Sequence, residues 1–423
     1  MYFWISFCED FKLNYELFIA KRIIASKGHK NSVSSPIIKI AIVAIAIGII
    51  VMILSIATGI GLQKKIKEKI SGFNGDVQIT FYDANNSNIT VNPIQINQDF
   101  YPDFNQVPNV KKVQPFATSA GIIRTEENFE GVILKGVDQN HDWTFFEEYL
   151  IEGKLPVISD KLSNEVLVSS TTANRLKLNV GDNFYMFFVK DDPNKAPNTR
   201  KFIVSGIFNS GFQEIDEGFI VGDIKHIQRI NKWEDDQVGG FEVLLYDFDD
   251  LDQSGNAIYQ NIDPNLNATT VEEKFPAIFE WLDLFDTNIV VIIFIMILVA
   301  GINMITALLV LILERSPMIG VLKALGESNW SIRKIFLYNA AYLIGVGLFW
   351  GNLIGLSLIY AQKKLGLIKL NAENYYVTEA PVHIDLSQIM LLNLGTLLLC
   401  LAMLLIPSYI ITKISPVKAI KFN

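Results

Sequence analysis

The four histidines, His29, His141, His226 and His383, stand far apart in a 423-residue chain, and no HExxH or CxxC accompanies them. Metal ligation and imidazole catalysis therefore lack their usual spacing, and the rings read as solvated or hydrogen-bonded. Acidic clusters at Trp233–Asp236 (WEDD) and Asp247–Asp250 (DFDD) match no EF-hand loop and read as solvated turns. No GxxxxGK(S/T) loop is present to cradle ATP phosphates, and nothing pairs a nucleophile with a base. What remains is the chemistry of contact. In "LERSPMIGVLKALG" (Leu313 to Gly326), Ser316 is suited to an N-cap and Pro317 to the first helical position. Met318, Leu322 and Leu325 recur at helical spacing, and Gly326 is a natural stop. Further on, Gly347, Gly351 and Gly355 form a GxxxGxxxG row that lets two helices approach closely in lipid.

The elements that must carry these residues are membrane spans. Half the residues are hydrophobic, and the mean hydropathy is +0.30. Four windows without a charged residue (Ile40 to Gln63, Thr287 to Leu313, Ile335 to Gln362, Leu386 to Thr412) exceed the length of about 20 residues needed to cross hydrocarbon. Their lack of charge disfavours an ion or polar-solute pathway. From Gly75 to Phe285 there are 34 Asp/Glu against 16 Lys/Arg, a net of −18 that argues against nucleic-acid binding. β-rich runs at 75–83, 130–138, 164–170, 182–190, 200–208 and 239–248 alternate with short helices at 170–178 and 223–231. The runs at 182–190 and 200–208 predict a hairpin with a projecting tip, and 267–286 reads as a helix entering the second span.

The predicted fold is thus an α-helical membrane protein with four transmembrane helices and a large α+β extracytoplasmic domain between the first two. It divides into a cytoplasmic segment with an amphipathic helix (1–36), span 1 (37–62), the outer domain (63–285), span 2 (286–313), a cytoplasmic loop (314–334), span 3 (335–362), an outer loop (363–385), span 4 (386–412) and a tail (413–423). The Lys/Arg near the span ends predict both termini in the cytoplasm, although "KKIKEK" (Lys64 to Lys69) runs against the trend.

This order of elements resembles the MacB/FtsX-type ABC-transporter permeases, and within them the lipoprotein-releasing LolC/LolE branch. "ERSPMIGVLKALG" is similar to that family's coupling-helix motif, with Pro317 a departure that suits a helix start; "LFIAKR", "YYVTEAPVHID" and "ISPVKAI" are similar to other parts of LolC/LolE chains. The resemblance implies a bacterial inner-membrane subunit that is not itself an enzyme and holds no cofactor. ATP-Mg would be bound by a separate LolD-like ABC ATPase dimer, and a second permease copy would complete a homodimer or a LolC/LolE-type heterodimer. It assigns ATPase coupling to Glu314, Arg315, Pro317, Met318, Ile319, Gly320, Leu322, Lys323, Leu325 and Gly326. Met318, Ile319, Leu322 and Leu325 would supply the apolar face, Arg315 and Lys323 charge pairing. Helix packing falls to Gly347, Gly351 and Gly355, and membrane lipid or a lipoprotein's acyl chains to Ile56, Ile60, Phe285 and Ile289. A periplasmic carrier would meet the hairpin tip at Asp191, Pro193, Asn194 and Pro197. Two other roles stay open at this point, FtsX-like activation of a cell-wall hydrolase and MacB-like efflux.

Overall fold

A computed structural model describes residues 15–25, 34–82, 89–125, 128–188 and 196–414. Among them are four helices long and apolar enough to cross a membrane: Ser34–Asn74, Pro276–Glu314, Asn329–Leu365 and Leu386–Ser408. An α-helix satisfies its own backbone polar groups, which is why such apolar segments take this form in hydrocarbon. At about 1.5 Å per residue the first two are each roughly 60 Å long, twice the hydrocarbon thickness. The chain divides into two compact units. One comprises 1–62, 283–368 and 380–423; the other comprises 63–282 and 369–379.

In the first unit the core lies between the spans, with Ile45, Ile49 and Ile53 of span 1 buried alongside Phe336, Ile344 and Cys400. The glycine row explains how they approach. A Cβ added at Gly347 would stand 2.7 Å from Ile45 Cγ2, one at Gly351 2.7 Å from Ile49 Cβ, and one at Gly355 3.3 Å from Ile53 Cδ1. Each glycine thus receives one isoleucine, in step every four residues, and the row is used within a single chain. Spans 3 and 4 are joined by reciprocal amides, Asn352 Nδ2 donating to Asn393 Oδ1 at 2.6 Å and Asn393 Nδ2 to Asn352 Oδ1 at 3.0 Å. Helix Tyr15–Ala25 docks at the foot of span 3, where Ser331 Oγ donates to Glu16 Oε1 at 3.0 Å.

Gly351→Ile is expected to destabilise the unit by about 1–3 kcal/mol through overpacking, since Ile49 Cβ and the Ala46 carbonyl both stand under 3 Å from the new Cβ. Gly345→Ala, where the added carbon meets nothing within 4 Å, is the control. Thermal unfolding of the detergent-solubilised protein separates the two; equal midpoints would remove the seam.

The second unit is built on a ten-stranded sheet. Its strands are β1 (Val77–Phe81), β3 (Val110–Arg124), β4 (Phe129–Val137), β5 (Leu150–Gly153), β6 (Glu165–Ser169), β7 (Asn183–Phe188), β8 (Asn198–Phe208), β9 (Phe219–Asp223), β11 (Gly240–Leu245) and β12 (Leu266–Thr270). The order is β12-β1-β11-β3-β4-β9-β6-β8-β5, with β7 pairing β3 and β8. Short β2 (Ile94–Gln95) and β10 (Gln237–Val238) form a separate pair. All pairings are antiparallel except β4–β9 and β6–β8.

The sequence reading changes at two stretches here, 267–286 and 369–379, and gains a strand it did not contain. Residues 267–286 are not one helix: 266–270 form β12 against β1, Thr270 then caps a four-residue helix through a capping box, and Pro276 opens the second span helix. Proline cannot supply the N–H that would fuse the two helices. The fifteen-residue β3 has no counterpart among the β-rich runs of the sequence. It carries two lysines, a proline and a glycine, and its middle is buried on both faces, so it lacks the alternation that marks a half-buried strand. The segment 369–379, expected as part of a plain outer loop, packs with the sheet domain. Lys69 Nζ donates to the Tyr376 carbonyl at 2.9 Å, and the Tyr376 ring stacks on Phe212 at 4.7 Å.

Candidate functional site: the junction helix

Between spans 2 and 3 lies the helix Ser316–Ala324. The sequence places its cap at Ser316; in the structure Arg315 is the N-cap, with no side-chain cap bond, and Ser316 is already helical. The reason is continuity. Arg315 N–H still bonds the Leu311 carbonyl of span 2 at 3.1 Å, and Ile319 N–H bonds the Arg315 carbonyl at 3.0 Å, so one residue separates the helices. Pro317 falls in the first turn, where its missing N–H does least harm. At the other end Gly326 takes φ +92°, Glu327 N–H reaches the Leu322 carbonyl at 3.0 Å, and Gly326 N–H the Lys323 carbonyl at 3.1 Å. That is a Schellman stop. Ser328 then caps span 3 by accepting from Ser331 N–H at 3.2 Å.

The helix presents a different face outward from the one expected. Ile319 is fully buried and Gly320 is buried, while Met318 and Leu322 pack against the span core. Only Leu325 of the expected apolar face is free, at 80% exposure. The outward strip is Pro317, Val321 (49% exposed), Ala324 and Leu325, joined by exposed Trp330. Residues at i, i+4, i+7 and i+8 share a helix face, so this strip was present in the spacing. The helix has two apolar stripes, and tertiary packing decides which turns inward. Lys323 is also spoken for: its ammonium donates to the carbonyls of Ile411 (2.6 Å), Ile414 (2.9 Å) and Thr412 (3.3 Å), capping the end of span 4. Burial pulls its pKa down. Arg315 is half-buried with Nε unpartnered among the described residues, whereas Glu314 is exposed. Arg333 donates from Nε to Ser408 Oγ at 3.0 Å and from Nη2 to the Leu405 carbonyl at 2.9 Å, its guanidinium 5.1 Å from the Trp330 ring.

Ile56, Ile60, Phe285 and Ile289 are not arranged as an opening. Ile56 is buried, Ile60 and Ile289 pack on the span core, and a Cβ at Gly59 would meet Ile289 Cδ1 at 2.6 Å. Spans 1 and 2 are in contact here because Gly59 lets them be. Phe285 is half-buried. Span 2 leaves apolar side chains uncovered one face round, at Val290 (65% exposed), Phe294 (67%), Ile295 and Leu298, as the other spans do at Ile40, Phe349 and Leu391. Of the hairpin tip, Pro197 is exposed, and Asp191, Pro193 and Asn194 lie outside the described residues; the hairpin stem is β7 with β8.

Two family models match the chain. The MacB-like periplasmic core domain covers residues 40–261, and the FtsX-like permease C-terminal domain covers 290–416. This chain belongs to the MacB/FtsX-type ABC-transporter permeases. Its curated relatives include the lipoprotein-releasing system transmembrane protein LolC of Xylella fastidiosa, 22% identical over 96% of this chain and 98% of the relative. LolC of Neisseria meningitidis and LolE of Haemophilus influenzae are each 21% identical over 96% of this chain and 99% of theirs. The periplasmic region of MacB from Actinobacillus actinomycetemcomitans aligns with 49% of this chain and 95% of its own length, at 14% identity and a TM-score of 0.31.

The core domain of this MacB/FtsX-type permease holds a buried polar row that sequence reasoning missed. Strand register sets Gln78, Glu242 and Gln114 opposite one another across β1, β11 and β3. Lys135 of β4 completes it, its ammonium 2.6 Å from Glu242 Oε1, with the pair 2% and 1% exposed. Gln114 Nε2 donates to Glu242 Oε2 at 3.1 Å, and Lys135 also donates to the Phe73 carbonyl and sits 4.4 Å from that ring. His226 is buried with a ring nitrogen 2.9 Å from the Ser163 carbonyl, and burial holds both His141 and His226 below the usual imidazole range. Asp247 caps the turn at 248–250, accepting from Asp249 N–H at 3.0 Å.

Near the row stands Lys274, whose ammonium burial pulls down to about 8, the Glu242 carboxylate opposing and Lys135 adding to the shift. A lysine free in the unfolded chain titrates near 10.4. Above that pH both states are neutral; as pH falls the unfolded chain takes the proton first and stability is lost until about pH 8. Stability of the domain should therefore rise between about pH 8 and 10.5, by on the order of 2 kcal/mol for a half-buried group. Unfolding midpoints measured across that window check this, and Lys274→Met should flatten the slope.

Proposed function

We propose that this permease couples ATP hydrolysis on a separate ATPase subunit to release of outer-membrane lipoproteins from the inner membrane to a periplasmic carrier. Similarity to LolC and LolE over nearly the whole chain is the observation that carries this reading. The chain has no phosphate-binding loop of its own, so ATP-Mg sits on a LolD-like ATPase dimer. That dimer docks on the outward strip Pro317–Val321–Leu325 rather than on the buried face. Span helices that run unbroken for 39 and 41 residues suit a machine that transmits motion without passing cargo through the bilayer. Both termini are cytoplasmic and the core domain periplasmic. A second permease copy supplies the other half of the complex, meeting the uncovered face of span 2, and the hairpin beyond β7 offers the carrier its contact.

The test is release of a radiolabelled lipoprotein from proteoliposomes holding this chain, its co-purifying partners and ATP. ATP-dependent transfer to a soluble carrier is expected. Capture of a cell-wall hydrolase or an efflux adaptor instead, with no transfer, would overturn the lipoprotein reading and leave the permease assignment standing.

A further inference from the structure

The core domain contains a polar cavity of about 320 Å³ against the buried row, reached by Lys135, Glu242 and Lys274. Lys135 is held by the Glu242 carboxylate and the Phe73 carbonyl, whereas Lys274 meets only neutral acceptors. An ammonium has three donors, and two of these are met by neutral amides, Gln78 Oε1 at 2.7 Å and Asn74 Oδ1 at 3.4 Å. No carboxylate of the described residues comes within 4.0 Å of it. The adjacent Glu273 also lines the cavity, its carboxylate held by Thr270 N–H at 2.9 Å in the capping box. A half-buried cation with a donor to spare, facing a cavity whose hydroxyls and amides stand beside carboxylates already held by Lys135 and by the capping box, is a place where an oxyanion gains a charge-assisted hydrogen bond.

A second hollow of about 580 Å³ adjoins the cavity, sharing Phe73, Asn74, Phe219 and Phe275 with it. It continues past Ile133, Phe212 and Ile215, and Glu214 and Glu217 line it as well. The charge differs along the length: Lys135 and Lys274 balance Glu242 and Glu273 at one end, apolar rings follow, and only carboxylates, Glu214 and the Arg175-paired Glu217, line the other. We propose that the two hollows form one site for a single-chain amphiphile with an anionic head, a carboxylate or a phosphate ester. The head sits on the Lys274 ammonium and the hydrocarbon chain lies along Phe73, Phe219 and Phe275. A free inorganic anion shares the head-group chemistry, and the chain length of the ligand separates the two sources.

The experiment uses the full-length protein in phosphatidylcholine nanodiscs with a diazirine-bearing hexadecyl phosphate, the matched hexadecanol as uncharged control, and peptide mapping of the adducts. The phosphate probe is expected to label peptides containing Phe219 and Phe275, with labelling about tenfold lower in Lys274→Met and retained in Lys274→Arg. Displacement of the label by excess inorganic phosphate shows that the pocket also takes the free anion; a label that survives phosphate shows that the chain is needed. Either result supports a head-group site. Equal labelling by hexadecanol, or undiminished labelling of a folded Lys274→Met protein, overturns it. Should Lys274→Met fail to fold, the wild-type protein decides. Labelling should fall as pH is raised past about 8 and the ammonium loses its proton, and a flat profile overturns the proposal.

Discussion

Val321→Asp and Leu325→Asp should each abolish stimulation of the partner ATPase while leaving the permease folded and inserted. Both side chains are exposed in the single chain, so a carboxylate there costs the isolated permease little. In a docked groove the same change forfeits about 1.5–3 kcal/mol of apolar burial and strands a charge at the interface centre. Together these lower affinity by two orders of magnitude or more, roughly 3 kcal/mol. Ile319→Asp behaves differently. Its side chain is fully buried against the spans, so the variant is expected to misfold and to lose binding only as a consequence. Stimulated ATP hydrolysis and thermal unfolding, measured side by side, distinguish the faces. Full stimulation by Val321→Asp with Leu325→Asp would remove the outward strip as the contact.

Glu242→Ala should be the most damaging single substitution in the core domain. It leaves the Lys135 ammonium 2% exposed with no counter-charge, and breaking such a buried pair costs about 3–5 kcal/mol. For a domain of this size that is a fall of about 10 °C in the unfolding midpoint. Gln114 Nε2 also loses its acceptor, while Gln78 Nε2 keeps the Asn74 carbonyl. The double variant Lys135→Met with Glu242→Leu should recover most of the loss, because it removes both desolvation penalties at similar volume. A double variant no better than Glu242→Ala would mean that the row stabilises through its geometry rather than through charge balance.

How much of this was legible in the sequence follows from what each pattern depends on. The spans declared themselves because hydrocarbon imposes length and apolarity on the segment alone. The six β-rich runs contain strands because their Val, Ile, Phe and Tyr favour extended backbone whether one face is covered, as in β7, or both, as in β6 and β11. β3 hid because Lys111, Lys112, Gln114, Pro115 and Gly121 dilute the Val, Ile and Phe that mark the other strands. The glycine row was readable as a packing stripe, but its register against Ile45, Ile49 and Ile53 depends on a segment three hundred residues away. The junction helix was readable as a helix; its orientation was not, since Met318–Ile319–Leu322 and Val321–Leu325 are both apolar. The Gln78–Glu242–Gln114 row was beyond reach, because it exists only once three distant strands share a register.

The seam between Gly347, Gly351, Gly355 and span 1 has a bearing on descent as well as packing. Because it closes inside one polypeptide, it places no condition on which other subunit the chain meets. Under the contact proposed above, the two daughters of a gene duplication can diverge along the face of span 2 around Val290 and Phe294 and acquire a preference for each other over themselves. The interior seam need not change at all. A lineage can therefore pass from identical to paired subunits by altering one helix face, with every protomer remaining a sound fold along the way.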